Sequence, residues 1–183
     1  MGKKAILIGA TGLIGANLLQ KLLSSSAYIE ILVITRKKIN DTNPKLKQLI
    51  INFNELELYQ KEIVGDDVFC CLGTTIKKTP DLEVYKKIDY QYPLDVAKIA
   101  FKNGAKNYHL VSSMGANAQS KIFYTRTKGE VERDLQQIAF QSLHIYRPSL
   151  LDGNRSEERN GENIMIKLMR LVNPILVGAL RKY

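Results

Sequence analysis

Tyr124 and Lys128 stand four residues apart in Tyr124-Thr-Arg-Thr-Lys128, which sets a phenol and an ammonium one turn from each other on a single helix face. A cation beside a phenol favours the phenolate, so such a tyrosine is suited to give or take a proton while a hydride moves. Upstream, Ser112-Ser113 closes an apolar run, where a hydroxyl can meet a substrate carbonyl and the tyrosine oxygen together. A Tyr–Lys pair at this spacing is common on solvated helices. Its weight here comes from the serines before it and from a glycine-rich turn near the start of the chain.

That turn is Gly9-Ala-Thr-Gly12-Leu-Ile-Gly15, between the apolar run Lys4–Ile8 and a helix-like stretch. Free backbone N–H groups at a helix start attract the pyrophosphate of a dinucleotide. Gly9, Thr11, Gly12, Leu13, Ile14 and Gly15 are therefore the expected phosphate cradle. The spacing is G-x-x-G-x-x-G rather than the commoner G-x-G-x-x-G. About 20 residues beyond such a turn, an acid that holds the ribose 2′-hydroxyl marks NAD, and an arginine marks NADP. This chain has Thr35-Arg-Lys-Lys38 there and no acid between Glu30 and Asp41, so Arg36 and Lys37 predict NADP(H).

These residues need a scaffold that brings strand ends together. Short β-like runs at Lys4–Ile8, Glu30–Thr35, Leu49–Phe53, Asp67–Leu72, Asn107–Ser112 and Ser142–Tyr146 alternate with helix-like stretches at Leu13–Leu23, Glu55–Glu62, Asp81–Lys102 and Lys121–Phe140. Tyr92-Pro93 predicts two helices or a kink in the third. The pattern is that of an α/β Rossmann-type, doubly wound parallel sheet in the order 3-2-1-4-5-6, with helices on both faces and ligands beyond the carboxyl ends of the strands. The 183 residues suit one domain, with 148–183 as a short substrate-side appendage. Within that appendage, Asp152–Gly161 reads as a polar loop, with Arg155 and Arg159 as solvated charges or, alternatively, contacts to an anionic substrate or the cofactor phosphates, and Glu162–Leu171 as a helix ended by Asn173-Pro174.

Composition narrows the rest. With 45% hydrophobic and 25% charged residues the usage is globular, and no run approaches the roughly 20 apolar residues of a membrane span. The start of the chain is too short in apolar residues for a signal-peptide core, so cytoplasmic residence is the expectation. The net charge of +9 is spread in pairs such as Lys37-Lys38, Lys77-Lys78 and Lys86-Lys87, which reads as a solvated surface rather than a nucleic-acid face. Cys70-Cys71 reads as small buried filling, and His109 and His144 as strand residues, so no metal site is expected.

The chain resembles the extended and atypical short-chain dehydrogenase/reductases, and within them the Tat-interactive oxidoreductase-like group. The likeness is carried by Gly9 to Gly15, Thr35 to Lys38, Phe69-Cys-Cys-Leu-Gly-Thr-Thr75, Ser112-Ser-Met-Gly-Ala116, Tyr124 to Glu130 and Arg147-Pro148. The resemblance implies NADPH binding, with Tyr124 and Lys128 as the active-site pair and Leu72, Gly73 and Thr74 along the cofactor groove. It favours Ser113 as the catalytic serine, with Ser112 as the alternative at the cofactor. Asn52 stands where that group usually carries an acid against adenine, and relatives continue past the position of Tyr183 through a strand and helix on the substrate side.

The expected function is an NADP(H)-dependent oxidoreductase acting on a carbonyl or alcohol, with Ser113, Tyr124 and Lys128 as its catalytic residues. The alternative is a regulatory or scaffold protein that binds NADP(H) and turns over nothing, because a fold does not decide function. The substrate, the oligomeric state and any protein partner are not readable from the residues.

Overall fold

The computed structural model describes residues 2–149. The loop at Asp152–Gly161 with Arg155 and Arg159, and the helix expected at Glu162–Leu171, lie outside the described residues. Six strands run parallel in one sheet: β1 (Lys3–Ile8), β2 (Tyr28–Thr35), β3 (Leu46–Ile50), β4 (Asp67–Cys70), β5 (Asn107–Val111) and β6 (Ser142–Tyr146). Their order is β3-β2-β1-β4-β5-β6, as expected. The chain winds outward from β1 through β2 to β3 at one edge and then crosses back to lay β4 on the other side of β1, so the winding reverses at β1 and opens a crevice there.

Ala5, Ile6, Leu7 and Ile8 are all fully buried, as the central strand of a sheet covered on both faces requires. On one face Ala5, Leu7, Ile31 and Val33 pack under Leu19, Leu22 and Leu23 of α1 (Leu13–Ser24). On the other, Ile6, Ile8, Val68, Tyr108 and Leu110 pack with Leu94, Ala97 and Ala100 of α3 (Tyr92–Lys102) and with Val131 and Leu135 of α4 (Phe123–Leu135). Truncating any of the leucines or isoleucines among these to alanine should cost about 2–5 kcal/mol.

Several boundaries differ from the expectation. The third strand ends at Ile50 rather than Phe53, because Asn52 accepts from the Asn54 N–H and starts a 3-10 helix at Phe53–Tyr59. Ile51, Phe53 and Leu56 enter the core from this turn, which gives the run its strand-like apolar look. The same turn replaces the α-helix expected at Glu55–Glu62, and the backbone breaks at Glu55 with φ −115° and ψ 19°. The fourth helix is shorter than expected and begins past Ser120, whose hydroxyl accepts from the Ile122 N–H.

The long third helix is the kinked case. α2 (Leu82–Lys86) passes through a π-helical turn at Lys87–Gln91 directly into α3, with Pro93 in its first turn. Proline has no N–H for the bond to the preceding turn and its ring crowds that carbonyl, so the helix widens by one residue there. The turn points Asp89 inward, where it is buried.

At the amino-terminal edge of the sheet, Asp67 ties four strands together. Its carboxylate accepts from Tyr28 Oη at 2.7 Å, Asn107 Nδ2 at 2.6 Å and Lys3 Nζ at 3.1 Å. Burial pushes this carboxyl up, but the bonds from Asn107 and Tyr28 and the Lys3 ammonium outweigh it and hold the group below its ordinary value. Stability from a depressed carboxyl is present above the unfolded value of about 3.9 and is lost as pH falls through the lower folded one. Asp67→Ala is expected to cost about 3 kcal/mol at pH 7, from two strong bonds to a charged acceptor. Urea midpoints of the two proteins should converge as the pH drops below about 4; a gap independent of pH would show that the carboxylate charge is not what is lost.

Candidate functional site

The glycine turn, Arg36-Lys37, Leu72–Thr74 and Ser112-Ser113 follow the carboxyl ends of β1, β2, β4 and β5, and α4 carries Tyr124 and Lys128. After β1 the chain turns at Gly9, whose φ of +82° lies in the left-handed region that favours glycine. Its place against the backbone of Cys71 and Leu72 leaves no room for a Cβ. A Cβ on Gly15 would run into the Gly9 carbonyl, so the first turn of α1 is pressed onto the end of β1. Gly12 differs: a Cβ there would meet only the Gly9 oxygen, at 3.5 Å, an ordinary contact. Packing within the chain does not require a glycine at position 12. No side chain caps α1 and no acid sits in its first turn, so its N–H groups and positive dipole end face the space beside Thr11, Gly12, Leu13 and Ile14.

At the end of β2, Thr35 is buried and its hydroxyl accepts from the Lys37 N–H while donating to the Lys37 carbonyl. This small turn throws Arg36, Lys37 and Lys38 into solvent. Arg36 and Lys37 make no ion pair among the described residues. At the end of β3 the Asn52 oxygen is engaged with its own helical turn, so its side chain serves that turn in place of the ligand-facing acid.

β4 ends at Cys70, two residues before its expected limit, and Leu72, Gly73 and Thr74 form the loop that leaves it. The Thr74 N–H donates to Asp89 Oδ2 at 2.8 Å, and the Thr74 and Thr79 hydroxyls share a hydrogen bond of the same length. Burial pushes both thiols up, that of Cys71 to about 12, so Cys70-Cys71 is core filling rather than a reactive pair.

β5 runs out into Ser112 and Ser113, which are both buried and whose hydroxyls have no hydrogen-bond partner among the described residues. Buried hydroxyls are nearly always partnered, so two orphans at a strand end mark a place where something else completes them. On α4, Tyr124 is 37% exposed while Lys128, one turn on, is buried. Lys128 Nζ lies 2.8 Å from Asp89 Oδ1. Burial works against the charge on this lysine, but the Asp89 carboxylate outweighs it and holds the ammonium above its ordinary value. A Cβ on Gly73 would lie 3.6 Å from both partner atoms, so the loop after β4 roofs the ion pair.

Asp89 is the site residue that sequence reasoning missed. Its signal was available: an acid four residues before a proline, in an otherwise amphipathic helix. His109 and His144 lie in β5 and β6 as expected, stacked with ring centroids 4.6 Å apart, and Phe69 stacks on His109 at 4.5 Å. Among the described residues no group of three or more His, Cys, Asp or Glu could hold a metal. Nor is any described helix long and apolar enough to cross a membrane.

A strand order that reverses at β1 and a glycine turn pressed under an uncapped helix together define a Rossmann-type α/β fold. The chain belongs to the HIM1 family, whose model matches residues 17–177. It is 34% identical over 164 residues to Protein HTATIP2 of Rattus norvegicus, covering 87% of this chain and 67% of that one. It is also 38% identical over 156 residues to Protein FMP52, mitochondrial, of Candida albicans, covering 82% and 68%. The likeness to the Tat-interactive group is thereby confirmed.

Among solved structures, Bordetella bronchiseptica WbmH in complex with NAD+ superposes with a TM-score of 0.73 at 16% identity, covering 95% of this chain and 64% of that one. Thermotoga maritima UDP-glucose 4-epimerase gives 0.71 at 15%, covering 93% and 63%. At such identities these establish the fold, and the chain spans less than two thirds of either. The expectation of cytoplasmic residence is overturned, because FMP52 relatives from Candida albicans, Emericella nidulans and Scheffersomyces stipitis are named mitochondrial. An apolar leader core, the feature used for the expectation, is diagnostic of secretion and says nothing of other destinations.

Proposed function

We propose that the protein is an NADP(H)-dependent oxidoreductase of the short-chain dehydrogenase/reductase type, acting on a carbonyl or alcohol. The observation that carries this reading is the orphaned, buried hydroxyl of Ser113 just past the end of β5, in a chain whose α4 carries Tyr124 and the buried Lys128. The open position at Gly12 and the uncapped start of α1 fit a dinucleotide pyrophosphate, with Gly9, Thr11, Leu13, Ile14 and Gly15 completing the cradle. Leu72, Gly73, Thr74 and Ser112 line the groove beyond it. NADP(H), when bound, supplies or accepts the hydride. Ser113 donates to the substrate oxygen and holds the carbonyl in place. Tyr124 delivers the proton to that oxygen in reduction and takes it back in oxidation. Lys128 sets its ammonium one turn from Tyr124 on the same helix, beside the reacting oxygen.

The choice of NADP over NAD rests on Arg36 and Lys37, which are exposed in an acid-free turn and make no ion pair among the described residues. A guanidinium makes charge-assisted, often bidentate bonds to a 2′-phosphate. At roughly 1.5–3 kcal/mol per bond to a charged group, NADPH should bind about tenfold to a hundredfold more tightly than NADH. Calorimetric titration of both cofactors tests this. Equal affinities, or an Arg36→Ala variant that weakens both alike, would show that β2 does not read the 2′-phosphate.

A second reading, a cofactor-binding regulator or scaffold without turnover, is favoured by one feature: the Lys128 charge is already met by Asp89 at 2.8 Å. Tight NADPH binding with no reductase activity across a broad panel of carbonyls would select it.

A further inference from the structure

We propose that Asp89 is the positioning residue of the Tyr124–Lys128 pair, the carboxylate that keeps the buried Lys128 side chain an ammonium and fixes it beneath Gly73 at the edge of the cofactor groove. The assignment rests on the reading of Tyr124 and Lys128 as the reacting pair. A buried ion pair stabilises a fold little better than apolar side chains of the same volume. Asp89 and Lys128 are nonetheless almost fully enclosed, with side-chain exposures of 1% and 6%. Their place at the site supplies the reason.

The groups that face Lys128 are few. Asp89 comes from the π-helical turn, the Cys70 thiol from β4, and Tyr124 from α4 itself. The other charges on the surrounding turns are engaged elsewhere. Glu132, one turn further along α4, is held by Arg147; Glu130 pairs with Lys86 at 3.2 Å; Asp134 accepts from Tyr90 Oη at 2.7 Å and pairs with Arg133. Asp89 is thus the counter-charge of Lys128 among the described residues. Its second oxygen accepts from the Thr74 N–H at 2.8 Å, so one carboxylate ties α4 to the loop that follows β4. The wide turn ahead of Pro93 is what aims it there.

A lysine buried without a counter-charge gives up its proton well below the usual range. Nuclear magnetic resonance of the whole chain with labelled lysine side chains, the Lys128 signal being the one lost in Lys128→Arg, follows that proton without substrate or cofactor. In the wild type Lys128 should stay protonated beyond about 10.4, where surface lysines titrate. In Asp89→Asn, which keeps the shape of the side chain, its midpoint should fall by at least about two pH units. Turnover should then fall away on the alkaline side at a pH lowered by the same amount, whereas a merely structural Asp89 would lower the rate equally at every pH. A midpoint unchanged in Asp89→Asn overturns the proposal. If that variant does not fold, the wild type decides, because a Lys128 that titrates together with the surface lysines overturns it as well. An inactive protein with the predicted titration loses the oxidoreductase reading and keeps Asp89 in its role; an active protein without the titration does the reverse.

Discussion

Tyr124→Phe should lose about 10²–10⁴-fold in turnover of any substrate the wild type reduces, the usual contribution of a positioned acid–base group. The fold should not notice. Tyr124 is 37% exposed, and its hydroxyl makes no hydrogen bond among the described residues, so removing one oxygen leaves no buried partner unsatisfied. NADPH affinity should also stay near that of the wild type, because the proposed role sets the phenol on the substrate oxygen rather than on the phosphates. Steady-state rates, thermal unfolding and calorimetry on one pair of preparations separate these outcomes. Retained turnover removes Tyr124 from the mechanism; turnover and unfolding temperature lost together would mean that the ring was packing rather than reacting.

The second large effect contrasts two glycines of one turn. Gly15→Ala sets a methyl group against the Gly9 carbonyl, and backbone on both sides cannot yield without lifting α1 off the sheet. Overpacking of this kind costs roughly 1–3 kcal/mol, and more where backbone is the obstacle. Gly12→Ala meets only an ordinary contact and should leave the unfolding temperature within a degree or two of the wild type, in keeping with the small effect of unobstructed surface changes. Its methyl group would stand where the pyrophosphate approaches the start of α1. Loss of one bond to a charged group is worth about 1.5–3 kcal/mol, so NADPH should bind tenfold to a hundredfold more weakly. Denaturant titration with calorimetry reads both quantities, and unchanged affinity in Gly12→Ala would place the dinucleotide elsewhere.

Much of this was legible in the sequence, for identifiable reasons. β1 is a run of four fully buried apolar residues between a charged start and a glycine, so both its existence and its end were plain. The alternation of such runs with helical stretches, plus the handedness of crossovers, implies the strand order without further information. The end of the third strand was not legible, because Ile51 and Phe53 continue the apolar pattern after the backbone has left the sheet. Burial, not pairing, sets that pattern. Tyr92-Pro93 announced a disturbed helix, but not that the helix would absorb it in a π-helical turn and deliver an acid to Lys128. Which groups lie opposite a helix face is settled by packing between elements distant in sequence, and the pairing of Asp89 with Lys128 is of that kind.

The parallel sheet also shapes the history of each molecule. Of the six strands β1 is made first, yet Ile8 has its partners Ile34 and Cys70 on strands made later, on either side of it. No hairpin can hold it in the interval, because parallel neighbours meet only through long crossovers. Folding that waits for such distant pairings is slow and leaves apolar strands exposed to one another. The most deeply buried strand of the finished protein is therefore the one that a chaperone has the longest opportunity to touch.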